Sequence, residues 1–157
     1  MFRSLLLGGL LALTVNPLLA DESATPPKGF TALFNGKDLT GWKVYNGKAG
    51  SWGAEQGLLV VKGGGGGWLM TEQEYGDFEL HLEFKLPKGA NSGVALRSPL
   101  QGNPAFSGME IQILDDPNYK GLKEWQATGS IYSVVPSSKV PSKPLGQWNK
   151  YRITCKG

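Results

Sequence analysis

Apolar and polar residues alternate most regularly over residues 78–86. Phe78, Leu80, Leu82, Phe84 and Leu86 point one way, and Glu79, His81, Glu83 and Lys85 point the other. A period of two predicts a strand with one buried face. Val94 and Leu96 alternate with Ala95 and Arg97, and Met109, Ile111 and Ile113 alternate with Glu110, Gln112 and Leu114, which predicts two more half-buried strands. Compact apolar runs at residues 58–61, 68–70, 131–135 and 151–155, together with Trp42, Val44 and Tyr45, supply further short strands. Turn signals separate them: Asn35-Gly36, residues 38–41, and Asn91-Ser92-Gly93, where Asn and Gly fit a turn that needs positive φ. Short strands at roughly ten-residue spacing with Gly, Pro and Asn between them predict an all-β antiparallel sandwich, with no internal repeat.

Composition agrees with this reading. Of 157 residues, 40% are hydrophobic and 18% charged, so there is material for a core and too little charge for a disordered chain. Arg3 precedes an apolar run over residues 5–15 that ends in small residues at Ala20, the order of a secretory signal peptide. The run is shorter than the ~20 residues a membrane span needs, so no transmembrane segment is expected in the mature protein. Residues 1–20 therefore read as an export signal, residues 21–28 as a polar spacer with Pro26 and Pro27, and residues 29–157 as one domain working in the periplasm or outside the cell. Losing Arg3 takes the net charge from +3 to +2, with both signs mixed along the chain, so no nucleic-acid footprint is present. Cys155 is the single cysteine, which excludes an intramolecular disulfide and every multi-cysteine zinc pattern. The five glycines from Gly63 to Gly67 precede neither a Lys-Ser/Thr pair nor a helical pattern, so they read as a surface turn and not a phosphate loop.

The candidate chemistry lies on the polar faces of three strands. Glu83, Arg97, Glu110 and Gln112 are costly to bury unpaired. If their strands neighbour one another in a concave sheet, they form one surface able to bond sugar hydroxyls, with Trp125, Trp148 and Tyr132 as stacking platforms. Equally, they are the solvated face of an ordinary sheet, and the aromatics are core. Glu110, Asp115 and Asp116 offer carboxylates for acid–base work or a hard metal, while residues 115–118 also read as a polar turn. His81 reads as a titratable surface group.

Several segments, in order, closely resemble the 3-keto-disaccharide hydrolase domain family of the concanavalin A-like lectin/glucanase superfamily. They are GFTALFNGKDLTGW (29–42), LMTEQEYGDFELHLEFKLPKGANSGVALR (69–97), GMEIQILDD (108–116), GSIY (129–132) and GQWNKYRITCKG (146–157). The resemblance implies a jelly-roll sandwich of two antiparallel sheets, here expected to lack its C-terminal strands. It further implies an exported hydrolase or lyase that cleaves 3-keto-glycosides by proton abstraction at C2 and elimination at C1. The alternative is a non-catalytic carbohydrate-binding module of the same fold. On this resemblance Glu110, Asp115 and Arg97 are the catalytic candidates and Glu83, Asn91 and Gln112 the substrate-binding ones, joined by Trp125 and Tyr132 as the stacking candidates read from the residues. A divalent metal ion on Glu110 and Asp115 is the implied cofactor, with no organic cofactor, and a keto-glycoside is the implied partner.

Overall fold

The computed structural model describes residues 25–63, 67–139 and 142–157. The expected signal peptide, residues 21–24 of the spacer and the middle of the glycine run lie outside the described residues. The chain divides into two units, one ending at Glu74 and the other running from Tyr75 to Gly157. Regular structure in both is nearly all antiparallel β.

In the first unit, β1 (Trp42–Tyr45) pairs with β4 (Trp68–Thr71), and between them β2 (Trp52–Glu55) pairs with β3 (Leu58–Val61). The strand β2 escapes the hydrophobic pattern, because Gly53 and Ala54 carry too little side chain to show a period. Its partner is dictated by the turn instead: Gln56 and Gly57 both take positive φ, at 49° and 77°, as a two-residue type I′ hairpin requires. Upstream, the Asn35 side chain accepts from the N–H groups of Lys37 and Asp38, which closes the turn seen in the sequence.

The second unit holds β5 (Phe78–Phe84), β6 (Asn91–Leu96), a one-turn helix α1 (Pro104–Ser107), β7 (Met109–Leu114) and β8 (Asn149–Cys155). The first pairs with the last, β5 with β8, so that Leu80 faces Ile153 and Leu82 faces Tyr151 on one side while Glu83 faces Lys150 on the other. The inner hairpin is β6 with β7. Phe84, Leu96, Ile113, Leu114, Ile153 and Cys155 are buried. Phe84 meets Tyr151 edge-on at 4.8 Å, and the Tyr151 hydroxyl donates to the Gln112 carbonyl at 2.6 Å, tying β8 to β7. Burial is the main reason that phenol is pushed up to about 12.

Two expectations need correction. Asn91-Ser92-Gly93 is not a turn: these residues open β6, and Gly93 is not at positive φ. Residues 131–135 are not a strand but a tight turn, with Val134 and Val135 both donating to the Ile131 carbonyl and Ser133 at φ 61°. Only Ile131 and Tyr132 run beside β7 before the chain folds back, which leaves Val134 and Val135 exposed. A β-branched run is strand-like only where it has a surface to pack on.

Candidate functional site

The register of β6 against β7 sorts their side chains. Gly93 stands opposite Gln112, Ala95 opposite Glu110 and Asn91 opposite Leu114, so these six share one face. Ser92, Val94, Leu96, Met109, Ile111 and Ile113 take the other face, where Leu96 and Ile113 are buried. Three residues named from sequence, Asn91, Glu110 and Gln112, thus come together. Gln112 is only 3% exposed, and its amide Nε2 donates to the Asn91 Oδ1 at 3.4 Å.

A third segment borders β7. Gly129 donates to the Gln112 carbonyl and Gln112 donates to the Ser130 carbonyl, so two residues oppose one: a β-bulge whose first residue is a glycine at φ 83°. Ser130 also donates to the Ala127 carbonyl, closing the turn that contains this glycine. Fully buried Thr128 locks the end of the segment, its hydroxyl accepting from the Leu114 N–H and lying 2.9 Å from the Leu114 carbonyl. Beyond the bulge Tyr132 stands beside Glu110 and donates its N–H to the Glu110 carbonyl at 2.8 Å. An alanine at position 129 would have to hold left-handed backbone. Gly129→Ala is therefore expected to cost about 1–2 kcal/mol, read as a lower denaturation midpoint with an unchanged slope.

The carboxylate of Glu110 is half-buried, and burial pushes its pKa above the ordinary glutamate value. Among the described residues it has no hydrogen-bond or ion-pair partner. It lies over Gly93: a Cβ built there would stand 2.5 Å from its Cγ and 2.6 Å from its Cδ, and nearer still to Oε1. The glycine of the N-S-G motif is therefore required by the neighbouring strand's carboxylate, a cross-strand demand that a single strand's pattern does not reveal. A partly desolvated, unpaired carboxylate on the face that also carries two amide side chains is suited to taking a proton from a bound, hydroxyl-bearing ligand.

The remaining candidates lie elsewhere. Glu83 is exposed on the polar face of β5, 2.6 Å from Lys150, and its strand is paired with β8 and not with β6 or β7. Arg97, at φ 50°, directs its guanidinium to Cys155 Sγ at 3.1 Å, to Asp77 at 3.3 Å and to the Gly157 carbonyl, which fastens the end of β6 to the end of β8. Asp115 is 2% exposed and serves the chain: Oδ2 accepts from the Gly89 N–H and from Asn118, both at 2.7 Å. The polar turn at residues 115–118 is realised as a 3-10 turn over Asp116–Asn118. His81 pairs with Glu79 at 2.6 Å, and Arg152 and His81 hold the Glu79 carboxyl below its usual range. Trp148 is covered by Lys85 at 5.0 Å. Trp125 is exposed in a 3-10 turn, its carbonyl accepting from Ser133 and Ser130.

The expected metal pair does not assemble. Asp115 lies just past the end of β7, where the chain turns into the 3-10 turn, and its Oδ2 is taken up by the Gly89 N–H and the Asn118 amide. Among the described residues no three of His, Cys, Asp and Glu gather where they could hold an ion. Sequence reasoning also missed Phe106, whose ring meets Tyr132 edge-on at 6.0 Å, because a one-turn helix between strands leaves no periodic trace.

Residues 29–157 match the family model described as the 3-keto-alpha-glucoside-1,2-lyase-like domain. A 3-keto-disaccharide hydrolase of Bacteroides thetaiotaomicron is 30% identical over 151 residues, covering 80% of this chain and 52% of that protein. The chain thus spans about half the length of this curated relative. Two crystal structures of Parabacteroides distasonis proteins provisionally named glycosyl hydrolases are similar in fold. One has a TM-score of 0.65 at 31% identity, covering 80% of this chain and 63% of that one, and the other a TM-score of 0.58 at 29% identity, covering 74% and 64%.

Proposed function

This chain belongs to the 3-keto-alpha-glucoside-1,2-lyase-like domain family, and from that premise we propose that it cleaves glycosides whose sugar carries a ketone at carbon 3, with Glu110 as the base. A ketone at C3 acidifies the C2 proton. Glu110 takes that proton, the electron pair enters the enolate, and its return expels the oxygen at C1. The departing alkoxide gains a proton, from protonated Glu110 or from water, and the enone left behind adds water if the outcome is hydrolysis. Atoms and charge balance without an oxocarbenium ion, so a second carboxylate at glycosidase spacing is unnecessary. Exposed Asn91, its side chain held from beneath by the buried Gln112 amide, bonds the sugar hydroxyls and orients C2–H toward the base.

The observation that carries this reading is Glu110 itself: half-buried, unpaired among the described residues and seated over Gly93. Among the described residues no three of His, Cys, Asp and Glu gather to hold a divalent cation, and the steps above need none. In this reading residues 1–20 direct the protein out of the cytoplasm. Among the described residues no helix is long and apolar enough to cross a membrane.

The test is a proton NMR time course of the purified protein with a 3-keto-glucoside. Release of the alcohol with loss of the C1 acetal signal is the expected result. Binding by a folded protein with no release would identify a non-catalytic carbohydrate-binding module instead.

A further inference from the structure

Phe106 is 70% exposed, yet its ring is not isolated: it lies against Tyr132, the neighbour of Glu110 across the bulge. Its ring meets Tyr132 edge-on, with the planes at 67°, and an edge-to-face pair leaves one broad aromatic face open. Both partners are held in place. Tyr132 is anchored by its N–H to Glu110 and by its hydroxyl, 3.4 Å from Gln126 Nε2. The helix turn that carries Phe106 begins at buried Pro104 and is capped by Asn103, whose Oδ1 accepts from the Ala105 N–H at 3.0 Å. A pre-positioned ring loses little freedom on binding.

The order of residues along β7 gives this platform its place in a substrate. Gln112 and its neighbour Asn91 lie on the C-terminal side of Glu110, while α1 enters β7 from the N-terminal side. A keto-sugar with its hydroxyls on Asn91 and its C2 at Glu110 leaves its C1 substituent for the aromatic side. The turn that carries Tyr132 adds exposed Val134 and Val135, which offer apolar surface and no hydrogen-bonding side chain. We infer that Phe106 is a specificity-determining residue: with Tyr132 it forms a platform for the leaving group and favours a flat, apolar aglycone such as an aryl alcohol over a small alkyl one. This rests on the reading of Glu110 as the base.

The test compares phenyl and methyl 3-keto-glucosides with the wild type, Phe106→Ala and Phe106→Trp. The phenyl-over-methyl ratio of kcat/KM is expected to fall about tenfold in Phe106→Ala, mainly through KM, and to survive in Phe106→Trp, which keeps an aromatic face. An unchanged ratio in Phe106→Ala, or the same loss in Phe106→Trp, overturns the inference. Affinities of the same two glycosides, measured by calorimetry in the Glu110→Gln background with and without Phe106→Ala, separate the two claims. If the wild type cleaves neither glycoside, the proposed activity fails, and the phenyl-over-methyl affinity ratio still decides the role of Phe106.

Discussion

Replacing Glu110 with Gln is expected to lower kcat on a 3-keto-glycoside by about 10²- to 10⁴-fold, the usual contribution of a general base, while the protein stays folded. The amide is nearly isosteric, so the seat over Gly93 is kept and only the proton acceptor is lost. Stability should move the other way. Burial raises the Glu110 pKa, so folding favours the protonated form. The stabilisation from this is complete below the unfolded-state pKa and is lost as pH rises through the folded value. At neutral pH the ionised carboxylate therefore opposes folding, and Glu110→Gln should melt at the wild-type temperature or above it. Activity has the opposite dependence, because only the ionised carboxylate accepts a proton. Wild-type kcat/KM should rise with pH through a midpoint above the ordinary glutamate value, and this limb should vanish in Glu110→Gln. Wild-type turnover in the variant would remove Glu110 from the chemistry.

The second large effect is expected from Gly93→Ala. The glycine is not at positive φ, so alanine strains no backbone, and within a strand it removes the entropy cost of glycine. Its methyl group would however occupy the space of the Glu110 Cγ and carboxylate, which must swing away. Moving a reacting group by about 1 Å costs on the order of 100-fold in rate. A fall in kcat of about that size, with little change in melting temperature, is the expected split. Loss of stability in proportion to activity would mean that Gly93 serves packing and not the placement of the carboxylate.

Much of this was legible in the sequence, and the reasons are local. The strands β5, β6 and β7 are marked by alternation and β8 by a compact apolar run, and the alternation of β7 by itself puts Glu110 and Gln112 on one face. The hairpin β2–β3 was only half visible, since Gly53 and Ala54 give no period. The candidate site was legible where its members lie on one strand or on the strand next in sequence, as Asn91, Glu110 and Gln112 do. It was illegible where pairing decides. Nothing in the alternation of β5 says that its partner is β8, and that pairing takes Glu83 away to Lys150. The left-handed backbone at Arg97 likewise turns its guanidinium toward Cys155 and Asp77. Asp115 sits beyond the end of β7 in the polar turn that the sequence also offered for residues 115–118, where its Oδ2 accepts from Gly89 and Asn118.

The central claim is that Glu110 removes the C2 proton, and a 3-keto-glucoside carrying deuterium at C2 tests it most directly. Turnover of the labelled glycoside is expected to be slower than that of the unlabelled one, with the deuterium lost to solvent as the alcohol is released. Cleavage at the same rate for both, with deuterium retained at C2 of the product, would contradict the account.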